Sequence, residues 1–430
     1  MKKKVLALVL AIAVVAALTI GLVACNNDNT EDEIALPAYE HIESVDYSGL
    51  TVPANFKVGM ICLHDNGSTY DKNFIDAMYR AVDELGLSRS QLILKTNVKE
   101  TADCTTAATQ LVEAGCNVIF ADSFNHEKFL VPVATAHPNV QFCHATGVSE
   151  HSASALPNLH NAFASIYEGR YLAGIAAGMK LNEMIDAGKF TENEAKIGYV
   201  GAYTYAEVIS GYTAFYLGAK SVCPTVTMDV QFTGSWFDPT AEKSAAETLI
   251  QGGCKLISQH ADSYGAPNAC EENGVPNVSY NGSTVVSCPE TFIVSSSINW
   301  TPYMKHMIAS VIKGESIKAN YTGTIKDGSV ILTNLGKKAT AEGTVEAIVA
   351  ARAKLANGEL FVFDCNNFTV GGKKVTTYLA DTDGDFAPDT EAIFEVSTGH
   401  FVFKESFHRS APYFDLKIDG INLKNQIYGD

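Results

Sequence analysis

The sequence predicts an α/β protein of two similar lobes, each a parallel sheet flanked by helices, followed by a C-terminal β-rich extension. Two observations carry this expectation. One is an internal duplication with three landmarks in register. The other is an alternation, within each copy, of short apolar runs and amphipathic stretches, the pattern of parallel sheets with right-handed crossovers. Length agrees, since 430 residues exceed what one ordinary core supports.

The first copy opens at Lys57-Val-Gly-Met-Ile and the second at Lys196-Ile-Gly-Tyr-Val. In the first, Phe74, Ala77, Met78, Ala81, Val82 and Leu85 keep the i, i+3, i+4 helical spacing, with Gly86 as a stop. Leu92-Ile93-Leu94 then reads as a strand. In the second, Ile209 to Ala219 is helical, Val226 to Phe232 a strand and Thr240 to Gln251 helical. The helix end Ala107-Ala108-x-x-Leu111-Val112-x-x-Gly115-Cys116 recurs as Ala245-Ala246-x-x-Leu249-Ile250-x-x-Gly253-Cys254. Cys116 lies 59 residues after Lys57, and Cys254 lies 58 after Lys196. A further strand follows in each copy, at Asn139-Val-Gln-Phe142 and Asn277-Val-Ser-Tyr280. Beyond Leu360, the runs Phe361-Val-Phe-Asp, Thr376-Thr-Tyr-Leu and His400-Phe-Val-Phe are expected to form a β-meander joined by Gly-rich turns.

The chain starts with Lys2, Lys3 and Lys4, an apolar run from Val5 to Ala24, and Cys25. Basic, apolar and small-residue regions in that order make a secretory signal. Leu22-Val-Ala-Cys25 resembles the bacterial lipobox, which implies acylation of Cys25 and a membrane anchor through it. Residues 26–50 hold seven acids and no Lys or Arg, so a solvated tether is expected there. The expected organisation is a signal peptide over 1–24 and an acidic tether over 25–50. The first lobe spans 51–163, completed by about 298–320, and the second spans 164–297, completed by about 321–360. The extension occupies 361–430.

With 48 acidic against 31 basic side chains, the formal charge is −17. Loss of the signal leaves 28 basic groups and a charge of −20. Nucleic-acid polymers need clustered Lys and Arg and are excluded as a main partner. The nine Cys after Cys25 form no C-x-x-C, so neither a zinc knuckle nor a thioredoxin motif is present. A nucleophile elbow, a Walker A loop, H-E-x-x-H and a dinucleotide fingerprint are all missing, so no enzymatic activity and no cofactor are expected. Asp381-Thr-Asp383-Gly-Asp385 is calcium-like in composition, but its glycine is misplaced for an EF-hand loop, and a β-turn is expected instead.

Open parallel sheets bind ligands beyond the carboxyl ends of their strands. The loops so placed hold Asn66, Tyr70, Asp71, Ser123, Phe124, Trp236, Asp262 and Asn281, together with Asp122, Tyr203, Tyr205 and His260. Aromatic rings mixed with amides and carboxylates suit a small polar ligand that contains a ring.

Four runs then carry a family resemblance: Ile166-Tyr-Glu-Gly-Arg-Tyr-Leu-Ala-Gly-Ile-Ala-Ala-Gly178, Trp236-Phe-Asp-Pro239, Gln259-His-Ala-Asp-Ser263 and Ser297-Ile-Asn-Trp-Thr-Pro-Tyr303. From about Lys57 to Phe363 the chain resembles the basic-membrane-protein family, substrate-binding lipoproteins of ABC transporters similar to bacterial purine nucleoside receptors. The resemblance implies a bilobal type I periplasmic-binding-protein fold with a hinge. It also implies a purine nucleoside or base as ligand, an ABC permease as partner, and a place on the extracytoplasmic face of the membrane. By motif, Trp236 is the second-lobe stacking aromatic, and either Tyr70 or Phe74 is its first-lobe counterpart. Ile75 replaces a base-bonding Asn of one branch, and Asn281 replaces an Asp seen after the fourth strand. A sugar receptor and a ligand sensor uncoupled from transport are the alternatives, with an exported hydrolase ranked last.

Overall fold

A computed structural model describes residues 31–149, 152 and 155–429. The signal segment and Cys25 lie outside the described residues. Asp32–Asp430 form one compact unit.

The first lobe is built from β2 (Val58–Ile61), α1 (Thr69–Glu84), β3 (Leu92–Lys95), α2 (Ala102–Glu113), β4 (Val118–Ala121), α3 (His126–Ala136), β5 (Gln141–Ala145) and β6 (Leu159–Ala164). The second repeats the order. It has α4 (Ile166–Asp186), β7 (Lys196–Gly201), α5 (Ala206–Val222), β8 (Thr227–Phe232), α6 (Pro239–Gln251), β9 (Leu256–Gln259), α7 (Gly265–Asn273), β10 (Asn277–Tyr280) and β11 (Phe292–Ile298). The duplication is visible in the strand order: β3-β2-β4-β5-β6 in one sheet and β8-β7-β9-β10-β11 in the other, every pair parallel. β2, β4 and β9 are buried throughout and β7 from Ile197 onward, as sheets covered on both faces require.

The chain then returns to each lobe once more. α8 (Thr301–Lys313) and β12 (Asn320–Gly323) join the first lobe, β12 pairing parallel with β6. β13 (Val330–Leu332) pairs antiparallel with β11, and α9 (Thr344–Ala356) packs on α4. The backbone therefore passes between lobes at 164–166, 298–301 and 323–330, three strands of a hinge.

Helix starts are chemically explicit. The Ser68 side chain accepts from Asp71 N at the head of α1. Asp238 accepts from Thr240 N and Ala241 N at the head of α6, with Pro239 in the first turn. The closest helix pair is α4 on α5, where glycines let backbones touch. A Cβ on Gly174 would stand 2.1 Å from the Phe215 carbonyl oxygen, and one on Gly218 would stand 2.0 Å from that of Tyr171.

Two expectations need correction. The acidic stretch does not stand off as a tether over its described part. β1 (Glu33–Ile34) pairs antiparallel with β14 (Leu335–Gly336), Glu43 N donates to Lys326 O, and Leu36, Tyr39, Tyr47 and Leu50 pack on the body. Apolar residues interspersed among the acids outweigh their mutual repulsion. The C-terminal part is not a meander. β15 (Leu379–Ala380) pairs with β16 (Thr390–Glu391), and β17 (Ile393–Ser397) with β18 (His400–Phe403). β19 (Ile421–Leu423) leaves the extension and adds to the second sheet beside β8. Phe361–Phe363 form no strand; Phe363 instead stacks on Phe414 at 4.2 Å. The nine described Cys are all free and buried, acting as small core side chains.

Gly218→Val should lower unfolding stability by about 1–3 kcal/mol or prevent folding, because backbone cannot yield to the added methyls. Gly49→Ala, whose Cβ would meet nothing within 4 Å, is the matched control and should melt like the parent. Equal melting temperatures for the two variants would refute the close α4–α5 crossing.

Candidate functional site: an aromatic and carboxylate cleft between the lobes

The carboxyl ends of both sheets face one cleft, where open parallel sheets place their ligands. The lobes meet around it. Thr69 donates to the backbone oxygen of Asp262 through both its N–H and its hydroxyl, each at 3.0 Å. Phe124 of the first lobe stacks on Tyr205 of the second, with centroids 5.4 Å apart and planes at 27°.

On the first-lobe side, Tyr70 donates from its hydroxyl to the Asp122 backbone oxygen at 2.9 Å, which fixes its ring at the cavity wall. Asp71 lies beside it, 1% exposed. Its carboxylate accepts from His64 N at 2.7 Å and sits 3.4 Å from His64 Nδ1. Burial pushes this carboxyl up, but hydrogen bonds from His64 and Ser68 outweigh it and leave the pKa below its ordinary value. Asp122 behaves in the opposite way: burial, then the charge of Asp71, push it well above the carboxylate range. Ser123 donates to Glu100 at 2.7 Å, so it lines the cavity with its hydroxyl already engaged.

On the second-lobe side, Trp236 packs edge-on against Tyr203 at 5.2 Å, and its backbone oxygen accepts from Asp262 N at 2.9 Å. Burial first, then the charges of Asp71, Glu242 and Glu207, hold the Asp262 carboxyl well above its ordinary value. Glu207, in the first turn of α5, is pushed up to about 7 by burial, against the lowering influence of Arg170. Arg170 is 1% exposed, donates to Gln259 O at 2.9 Å and to His260 Nδ1 at 3.0 Å, and lies 3.3 Å from the centroid of Tyr280.

Of the residues expected at the site, Tyr70, Asp71, Ser123, Phe124, Trp236 and Asp262 line this cavity. Three do not. Phe74 faces the first-lobe core, fully buried and stacked on Trp300 at 4.3 Å, because the helical turn that brings Tyr70 to the cleft points it inward. Asn66 is exposed in the β2–α1 loop. Asn281 is buried at the end of β10 with left-handed backbone, φ 64°, and its side-chain nitrogen has no hydrogen-bond partner. His260, named among the strand-exit residues, also lines the cleft, as do Thr146, Glu207 and Tyr280, which were not singled out. The strand-exit rule reached the loops of Thr146, Glu207 and His260 without singling out the first two; Tyr280 ends its strand and lies outside those loops.

Among the described residues, two groups offer metal-ligand atoms. Cys62, Asp71 and Asp122 bring theirs within 4.8 Å of one another, but burial pushes the Cys62 thiol and the Asp122 carboxyl well above their ordinary values, which disfavours a cation. Asp381, Asp383 and Asp385 cluster in the β15–β16 loop, where Asp381 accepts from Gly384 N and Phe386 N.

A hinged pair of parallel-sheet lobes that closes around an aromatic-lined cavity defines a ligand receptor. The family model of PnrA-like ABC transporter substrate-binding proteins matches residues 58–362, and the chain belongs to that family. It is a binding protein, not an enzyme. A purine-binding protein of Brucella abortus is 31% identical over 315 residues, covering 71% of this chain and 83% of its own. A protein of Haloferax volcanii, described as a candidate ABC transporter glucose-binding protein, is 32% identical over 254 residues, covering 59% and 61%. The solved ABC solute-binding protein of Aeropyrum pernix aligns over 71% of this chain and 92% of its own, with a TM-score of 0.58 and 18% identity, a likeness of fold. Family members serve importers from outside the cytoplasm. Among the described residues no helix is long and apolar enough to cross a membrane.

The raised Glu207 has a consequence for the unliganded protein. An acid whose pKa rises from 4.5 to about 7 on folding binds more protons folded than unfolded, so stability falls as pH rises through that window. Thermal melts at pH 5.5 and 8.0 should show this loss, and Glu207→Gln should recover on the order of 3 kcal/mol at pH 8.0 and about half of that at pH 5.5, which already lies inside the window. An identical pH slope in parent and variant would contradict a protonated, buried Glu207.

Proposed function

We propose that this protein is a lipid-anchored receptor that captures a purine base or nucleoside between its lobes and delivers it to an ABC importer. The observation that carries the reading is the placement of aromatic rings on both sides of one cavity, Tyr70 and Phe124 from the first lobe and Trp236 and Tyr280 from the second, among the carboxyls of Asp71, Glu207 and Asp262. A purine has two apolar faces and an edge of N–H groups and lone pairs. Rings supply area to the faces, and carboxyls accept from the N–H groups. The purine-binding relative supports this choice. Tyr70 is the first-lobe stacking residue in this reading, since Phe74 is spent on the core. Closure around the base presents a changed outer surface to a permease, so no bond need break for the protein to act.

The glucose-binding name of the second relative favours a sugar as the other reading. Calorimetry with adenine, hypoxanthine, adenosine, guanosine, inosine, ribose and glucose separates the two. At least one purine should bind tightly, and Trp236→Ala should weaken that purine by about 100-fold at an unchanged melting temperature, as expected for loss of a large stacked ring. Binding of glucose or ribose alone would overturn the purine reading. Anchoring is tested separately: cells fed a labelled fatty acid should label the protein, and Cys25→Ala should abolish the label. Persistent labelling in that variant would rule out Cys25 as the attachment point.

A further inference from the structure

Behind the second-lobe wall, Arg170, His260 and Glu207 form a line whose hydrogen-bonding roles follow from chemistry. A guanidinium has no lone pair to offer, so in the 3.0 Å contact between Arg170 Nη2 and His260 Nδ1 the imidazole nitrogen accepts. Burial, then the charge of Arg170, lower the pKa of His260 far below its ordinary value, and the ring is neutral. A neutral imidazole that accepts at Nδ1 carries its proton on Nε2. That Nε2–H has no hydrogen-bond partner among the described residues, although it is buried. It stands 3.5 Å from Glu207 Oε1, too far for a good hydrogen bond. Only burial and Arg170 act on the Glu207 carboxyl; no hydrogen bond contributes. Both side chains line the cleft. A buried donor left unmade costs stability, and one beside a carboxyl whose side chain is still 12% exposed at the cavity points to a ligand that completes both.

We propose that Glu207 and His260 are the specificity pair of the cleft: Glu207 accepts from an N–H of the base, and His260 Nε2–H donates to the lone pair next to it. Arg170 is the positioning residue, holding the imidazole in the tautomer that donates toward the cavity. The inference rests on the purine reading. Purines carry amide or amidine edges in which an N–H and a lone pair sit on two atoms that flank one carbon, and the 3.5 Å separation of the protein pair suits such an edge. Stacking residues accept any flat ring, so selection among rings falls to this pair.

The test is titration of adenine, hypoxanthine and guanosine into the whole protein, with nitrogen-15 NMR of its histidines. Glu207→Leu should weaken every purine that the parent binds by about 10- to 100-fold. Glu207→Gln, whose amide oxygen still accepts, should cost no more than about 10-fold, and it keeps the test readable if the Leu variant fails to fold. In the spectra, His260 should be neutral with its proton on Nε2, and that proton's resonance should move on saturation while Nδ1 keeps its acceptor shift. Parent-like purine affinity in Glu207→Leu, or an Nε2–H resonance unmoved by a saturating purine, overturns the pair and leaves the purine reading standing. If the parent binds none of the three purines and takes glucose, the purine reading falls and the pair with it.

Discussion

A guanidinium shut away from water draws acceptors to itself, and around Arg170 that demand arranges half of the binding site, although its Nε finds none among the described residues. It stacks over Tyr280, donates to the backbone of Gln259 and to the ring of His260, and lends its charge to Glu207. Three separate segments, the exits of β9 and β10 and the start of α5, are thereby set against one side chain from α4. Removing a charge buried this way leaves its partners unpaired, which costs more than the interaction is worth in isolation. Arg170 therefore binds the wall together while touching the cavity only through the residues it orients.

The first-lobe wall is built differently. There the charge is negative, and the His64 backbone N–H, the His64 ring and the Ser68 hydroxyl satisfy it at Asp71. Asp122 behind it takes the proton that two adjacent carboxylates cannot both surrender. The two walls are joined directly by Thr69 on Asp262 and by Phe124 on Tyr205. These contacts need the duplicated sheets to present equivalent edges to each other, as their shared strand order allows.

Much of this organisation is legible in the sequence because the duplication repeats landmarks at nearly constant spacing, and because the strand-exit rule depends on topology alone. Trp236, Asp262 and Tyr70 were reachable that way. Phe74 was not separable from Tyr70, since both lie in the first turns of one helix and only the packing of Trp300 decides which faces inward. Tyr280 lay outside those loops and Glu207 was not singled out within its own, because their roles come from Arg170, distant in sequence and brought near by the fold. Residues 33–50 misled for a related reason: their charge is local, whereas the β14 edge that receives Glu33–Ile34 lies some three hundred positions away. In the extension, β19 joins a sheet whose other strands all precede residue 333, a pairing no local pattern announces.

The most direct measurement of the central claim is a crystal structure of the protein grown with its tightest-binding purine. Stacking between lobes predicts ring density lying between Tyr70 and Trp236, with one edge against Glu207 and His260. Density for the purine outside this cleft, or a cleft filled by a sugar while purine is in excess, would contradict it.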